Sequence, residues 1–244
     1  MELWGISDSG KVRTHNQDVY KMFFDEDKNT AILVVCDGMG GANAGDIASE
    51  IAANAFMDHM SKNVYEIGTQ RSIAPIITDA VHAANTAVFD RSLYDAEFSG
   101  MGTTITAAVS TVKGEVVASI GDSRMYHITD SEISQITTDH SVVQEMIERG
   151  EITRSDARKH PSKNLITRAL GTNIYEPPDI FFLNLDIGEY ILLCSDGLSN
   201  VVNDDEILHE LQQNKTVRES CEVLVNLALE RGAPDNVTAV IFRK

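Results

Sequence analysis

Apolar residues in this chain fall into two kinds of run. The continuous runs at 31–36 and 190–194 have the length and composition of strands buried on both faces. Segments 103–112, 115–120, 125–129 and 237–242 are rich in β-branched residues and read as further strands. Lys113-Gly114 makes a turn between two of them, which predicts hairpins and antiparallel pairing. Elsewhere the period is helical. Ile47, Ile51 and Ala55 recur with Ala48, Ala52 and Phe56, after a cap at Asn43. A second helix is expected after Ser72, with Ile76, Ile77, Ala80, Val81, Ala84, Ala87 and Val88 on one broad face. Shorter helices are expected at 142–148 and 219–229. Strands in consecutive groups and helices in pairs predict an α+β fold of packed sheets flanked by helices, not alternating βαβ units. No repeat, low-complexity stretch or linker breaks the pattern, so residues 1–244 are expected to form one domain.

The strand assignment exposes a pattern in the acids. Asp37 ends the run from Ile32 to Cys36, and Asp196 ends the run from Ile191 to Ser195. Asp122 ends the run from Val116 to Gly121, and Asp235 precedes the run from Val237 to Phe242. Aspartate is a common turn residue, which explains any one of these. Four of them, each beside a core strand, point to a cluster. Carboxylates at the edge of a core repel one another and lose hydration, and cations relieve both costs. An all-oxygen set indicates a hard ion, Mg²⁺ or Mn²⁺ before Ca²⁺. The seven histidines are scattered without a His-x-x-x-His pair, which argues against zinc.

The run Asp37-Gly38-Met39-Gly40-Gly41 is no phosphate-binding P-loop, because no Gly-Lys-Ser/Thr follows. It is no dinucleotide fingerprint either, since Asn43 stands at the third glycine position. Glycine there lets backbone approach a metal, with a carbonyl as ligand, or makes a tight turn into the next helix. Upstream, Arg13 in Arg13-Thr14-His15-Asn16-Gln17-Asp18 is read as a strand-edge residue able to take a phosphate bidentately.

Composition narrows the class. The net charge of −17 opposes a nucleic-acid partner and a metal-dependent nuclease, both of which need clustered Lys and Arg. No stretch of about 18 apolar residues predicts a membrane span. The N-terminus lacks a basic start with an apolar run, so a cytoplasmic enzyme is expected. Cys36, Cys194 and Cys221 lack metal-ligand spacing and read as small buried hydrophobes of a reducing compartment.

Seven motifs in order resemble the metal-dependent Ser/Thr protein phosphatases of the 2C type (the PPM family). They are Arg13–Asp18, Val35–Gly41, Gly102-Thr103-Thr104, Gly121–Arg124, Asp139-His140-Ser141, Cys194–Leu198 and Asp235-Asn236. The match spans nearly the whole chain, and the Asp-Gly-Met-Gly-Gly form resembles the bacterial branch. The resemblance implies a central β-sandwich of two antiparallel sheets with a helix pair on each outer face, and a flap at about 140–171. It implies that Asp37 bridges two Mn²⁺ or Mg²⁺ ions, with the Gly38 carbonyl on one and Asp196 and Asp235 on the other. Asp122, sharing Asp196, matches a third, weaker metal site. Asp18 would orient metal-bound water and Arg13 would bind the substrate phosphate. The reaction implied is hydrolysis of phosphoserine and phosphothreonine by a metal-bridging hydroxide, in a monomer opposing a Ser/Thr kinase on phosphorylated proteins. Where some relatives carry an acid-donating histidine, this chain has Met39, which has no proton to give. The leaving oxygen then takes its proton from a metal-bound water or from another residue. Gln17 stands where some relatives have Glu, which implies contact with a metal through water and one metal held less tightly.

Overall fold

The computed structural model describes residues 1–40, 44–66, 69–94, 96–213 and 215–244. The cap expected at Asn43, and Gly41 of the glycine run, lie outside the described residues.

Among these residues, strands form two antiparallel sheets. The first takes the order β1-β11-β10-β7-β8, with β1 Glu2–Asp8, β7 Arg124–Ile128, β8 Ile133–Gln135, β10 Tyr190–Cys194 and β11 Val237–Arg243. The second runs β2-β3-β5-β6-β9, from β2 Asp18–Asp25, β3 Thr30–Met39, β5 Ile105–Thr111, β6 Gly114–Ile120 and β9 Asp179–Leu183. The two-residue β4 Gly102–Thr103 pairs with the end of β3. Helices α1 Gly45–Asn63 and α2 Gln70–Tyr94 cover the second sheet, and α6 Asp204–Leu211 and α7 Val217–Glu230 cover the first. Short helices α3 Val142–Glu148 and α4 Arg154–Ala157 lie in the excursion between β8 and β9, and α5 Asp196–Ser199 follows β10. The result is the four-layer sandwich with a flap that the motifs implied.

Burial on both faces explains the continuous apolar runs. In β3, Ile32, Val34 and Cys36 join the core under α1 and α2, while Ala31, Leu33 and Val35 enter the core between the sheets. In β10, Tyr190, Leu192 and Cys194 face α6 and α7, while Ile191 and Leu193 face the other sheet. A side-chain period of two places alternate residues in different cores, so a strand in the middle layers has no polar face.

Helix starts follow their capping chemistry. Thr216 and Glu219 form a reciprocal capping box, so α7 begins at Val217, two residues before the expected start. Ser141 caps α3 through Gln144 N–H, and this helix matches its expected span. The last helix of the first pair begins at Gln70 rather than after Ser72. One strand reading divides: 103–112 is split at Thr104, whose hydroxyl turns to accept from Asp37 N–H at 3.0 Å. Arg13, read as a strand-edge residue, sits instead in the loop joining β1 to β2.

Two glycines beside the strand-end acids carry the close approaches. A Cβ on Gly197 would lie 1.8 Å from the Asn236 carbonyl oxygen, and one on Gly38 would lie 1.9 Å from that of Gly45. At both positions the neighbour is backbone, which cannot yield cheaply. Gly197→Ala is therefore expected to lower the unfolding free energy by about 3 kcal/mol, the upper range of overpacking costs. Chemical denaturation measures this, and a loss below about 1 kcal/mol would show that the strand ends are not held this closely.

Candidate active site

The candidate residues are delivered by backbone register. Pairing of β2 with β3 sets Asp18 directly opposite Asp37. Like charges facing across a ladder repel, so something else must hold this pair. Asp37 is fixed through its backbone: its N–H donates to Thr104 Oγ1, and its carbonyl accepts from Thr103 Oγ1 at 2.9 Å and Thr104 N–H at 2.9 Å. The strand itself runs on to Met39, so Asp37 lies within β3 rather than at its end.

Asp18 ties the two sheets together. Its Oδ2 accepts from Ser195 Oγ at 2.6 Å and from Thr238 Oγ1 at 2.7 Å, at the ends of β10 and β11. Its Oδ1 is buried with no hydrogen-bond partner. A buried carboxylate oxygen without a donor is costly and marks a place for water or an ion.

Asp196 follows Ser195 and accepts from Asn200 Nδ2 at 3.0 Å. Asn236 staples the loop opposite: its Oδ1 accepts from Gln17 N–H, and its Nδ2 donates to Ser9 and His15 carbonyls. That staple brings Arg13 to Asp235, where NH2 donates to Oδ2 at 2.9 Å. Gln17 accepts from Gly38 N–H through its carbonyl, so Gly38 is gripped between the loop and α1.

One cavity of about 250 Å³ gathers the candidates: Arg13, Asp37, Gly38, Asp122, Asp196 and Asp235 all line it. Asn164 and Ile166 of the flap close part of its rim. Asp18 lies behind the wall, nearly out of solvent. Asp122 and Asp196 also face a second cavity of about 110 Å³, whose far wall carries Arg154, Arg158 and Lys163 of the flap. Sequence reasoning missed Asn236, Thr104 and Ser195 as the residues that hold the acids in place. Their presence inside the motifs was the only signal.

Crowding perturbs the acids. Burial, then the charges of Asp18, Asp196, Asp122 and Asp235, raises the Asp37 carboxyl well above the ordinary range. Burial also raises Asp122 to about 8 and Asp196 to about 6. Asp18 rises to about 7 through burial, despite the hydroxyls of Ser195 and Thr238. Among the described residues, no three His, Cys, Asp or Glu side chains converge tightly enough to grip an ion unaided. The donor set nevertheless fits hard divalent ions. All its atoms are oxygens, they line an open cavity, and such ions keep several waters in their shell.

Comparison with known proteins gives the family. The family model Protein phosphatase 2C matches residues 10–239. The serine/threonine phosphatase stp of Listeria monocytogenes is 35% identical over 238 residues, covering 98% of this chain and 94% of that protein. The solved structure of the serine/threonine phosphatase Stp1 from Staphylococcus aureus superposes with TM-score 0.93 at 34% identity, covering 100% of this chain and 94% of that one. The catalytic domain of the serine threonine protein phosphatase PstP, solved in complex with two manganese ions, gives TM-score 0.84 at 35% identity, covering 98% and 96%.

The raised carboxyls give a signed pH dependence. Unfolded, these groups lose their protons near the ordinary 3.8; folded, they keep them until about 6 to 8. The folded chain therefore binds more protons in that window, and its stability falls as pH rises through it. In chelator, the melting temperature is expected to be lower near pH 8 than near pH 5.5, and Mn²⁺ is expected to raise it most near pH 8. Thermal melts that are flat with pH, or unmoved by Mn²⁺, would contradict the clustered-carboxylate geometry.

Proposed function

The chain belongs to the protein phosphatase 2C family and is a protein-serine/threonine phosphatase, and on that premise we propose how its residues divide the work. Members of the family are metal-dependent. Asp37, the Gly38 carbonyl, Asp196 and Asp235 would hold two divalent ions, Mn²⁺ or Mg²⁺, with Asp37 shared by both. Asp122 and Asp196 would hold a third, more weakly, since hard cations gain affinity from the number of charged oxygens around them. When bound, the ions supply water acidified to hydroxide near neutral pH and positive charge for the phosphoryl oxygens. What carries this reading is that four acids from distant parts of the chain and one arginine share a single cavity.

The protein's own groups do the rest. Asp18 Oδ1 is buried without a donor, suited to accept from a water that attacks phosphorus. Arg13 spends one N–H on Asp235 and keeps its remaining donors for phosphoryl oxygens. Of the uncharged groups on the wall, Met39 cannot donate a proton, and Gln17 and Asn164 are amides. The departing serine or threonine oxygen would take its proton from a metal-bound water or from another residue of the site. The substrates are phosphorylated proteins, met in the cytoplasm, and the enzyme opposes a Ser/Thr kinase as one catalytic domain spanning 1–244. The serine/threonine phosphatases of Listeria and Staphylococcus to which the chain is similar support that substrate class.

Hydrolysis of a chromogenic aryl phosphate and of a phosphothreonine peptide is expected with Mn²⁺ and not in excess chelator. Asp37→Asn keeps the shape and removes the charge. It is expected to abolish both activities and to lower the number of bound metals. Wild-type turnover with two ions still bound would sink the bridging role. Arg13→Ala is expected to lower kcat/KM about 30- to 150-fold, the ~2–3 kcal/mol of one charged contact, and to weaken inhibition by inorganic phosphate. Unchanged kinetics on every phosphorylated substrate would reject Arg13 as the anchor.

A further inference from the structure

Asp122 makes its bend through Gly121, which sits at φ +107° and packs so closely on Thr104 that a Cβ would lie 2.5 Å from its side chain. What sets this turn from the other side is His140. The two residues form a closed pair of bonds. His140 N–H donates to the Gly121 carbonyl at 2.8 Å, and Gly121 N–H donates to His140 Nδ1 at 3.0 Å. An Nδ1 that accepts carries no proton, so the ring proton is on Nε2. Nε2 lies 3.1 Å from Asp179 Oδ2, to which it donates, and 2.8 Å from Arg168 NH1, which has no lone pair to accept and so packs beside the ring without a hydrogen bond from it. Asp179 in turn accepts from Arg168, whose guanidinium also reaches Glu176 and the Pro177 carbonyl. The His140 carbonyl accepts from Thr167 N–H at 2.8 Å.

His140 opens the flap and Thr167-Arg168 close it, so both roots of the excursion meet at one largely buried imidazole, 10% exposed. The flap also reaches the main cavity through Asn164 and Ile166. We propose that His140 is a positioning residue: Nδ1 sets the Gly121-Asp122 turn and so aims the Asp122 carboxylate, while Nε2 fastens that turn to the flap root at Asp179. The inference rests on the cavity being the phosphatase centre. It accounts for the Asp139-His140-Ser141 motif, of which Asp139 serves Arg124 and Ser141 caps α3.

Two isosteric halves of the imidazole separate the bonds. His140→Asn places an amide oxygen near Nδ1 and lacks the Nε2 link. His140→Gln reaches toward Asp179 and lacks the acceptor for Gly121. The first readout is hydrogen exchange of the Gly121 amide by NMR, without metal or substrate, so it stands even if the phosphatase reading fails. Protection is expected in the wild type and in His140→Asn, and is expected to be lost in His140→Gln. The second is kinetics on a phosphothreonine peptide with Mn²⁺. His140→Gln is expected to lose about tenfold or more in kcat with KM little changed, as for a misaimed group, while His140→Asn stays within about threefold. Equal loss of kcat in both variants, in step with lowered melting temperatures, would reduce His140 to a packing residue and overturn the proposal. So would a Gly121 amide that remains protected in His140→Gln.

Discussion

Everything at the candidate site follows from one electrostatic constraint: carboxylates are brought together at one end of the sandwich, where each is unfavourable to the others. Asp18 and Asp37 face each other across β2 and β3. Asp122, Asp196 and Asp235 arrive from strands of both sheets. Burial and neighbouring charge raise Asp18, Asp37, Asp122 and Asp196, with burial the larger cause. A fold that tolerates this must hold the acids by means other than their own charges, and must leave room for cations to discharge them.

The holding is done by backbone and by small hydroxyl and amide groups. Thr103 and Thr104 occupy the backbone of Asp37, Ser195 and Thr238 satisfy one oxygen of Asp18, and Asn236 fixes the Arg13 loop. None of these neutralises a carboxylate. Arg13 pairs with Asp235 and is half exposed on the rim. The arrangement favours charge brought in from solution over charge built into the protein, which is what a site for divalent ions requires. Arg124 is held by bidentate pairing with Asp139 and faces the smaller cavity rather than the main one.

The sequence was legible where burial was symmetric. The central strands β3, β5, β6, β10 and β11 could be read because they are buried on both faces, and β7 was read although Arg124 and His127 within it are only partly buried. The four strands not anticipated, β1, β2, β8 and β9, are the edges of the two sheets. Edge strands are half exposed, and Asp18–Asp25 mixes Lys21 with Phe23 and Phe24 without clean alternation. Helix α6 was also missed, being eight residues with five of them charged or histidine, although Asn203 and Glu206 form a capping box. The acids themselves were visible as punctuation after apolar runs. Their convergence was not, because it depends on pairings such as Asp18 with Asp37 and on Asn236, whose partners are about 220 residues away in sequence. Arg13 was placed on a strand edge and is in a loop, since nothing in its neighbourhood marks where β1 ends.

The central claim, that burial, with their neighbours' charge, holds the Asp18, Asp37, Asp122 and Asp196 carboxylates partly protonated and that divalent ions discharge the cluster, is tested most directly by calorimetric titration of the chelator-treated protein with Mn²⁺. The titration is done near pH 7 in buffers of different ionisation enthalpy. The account predicts two tight ions per chain and a net release of protons on binding, seen as a heat that varies with the buffer. Binding of two ions with no proton release, or no binding in the tight range, would contradict it.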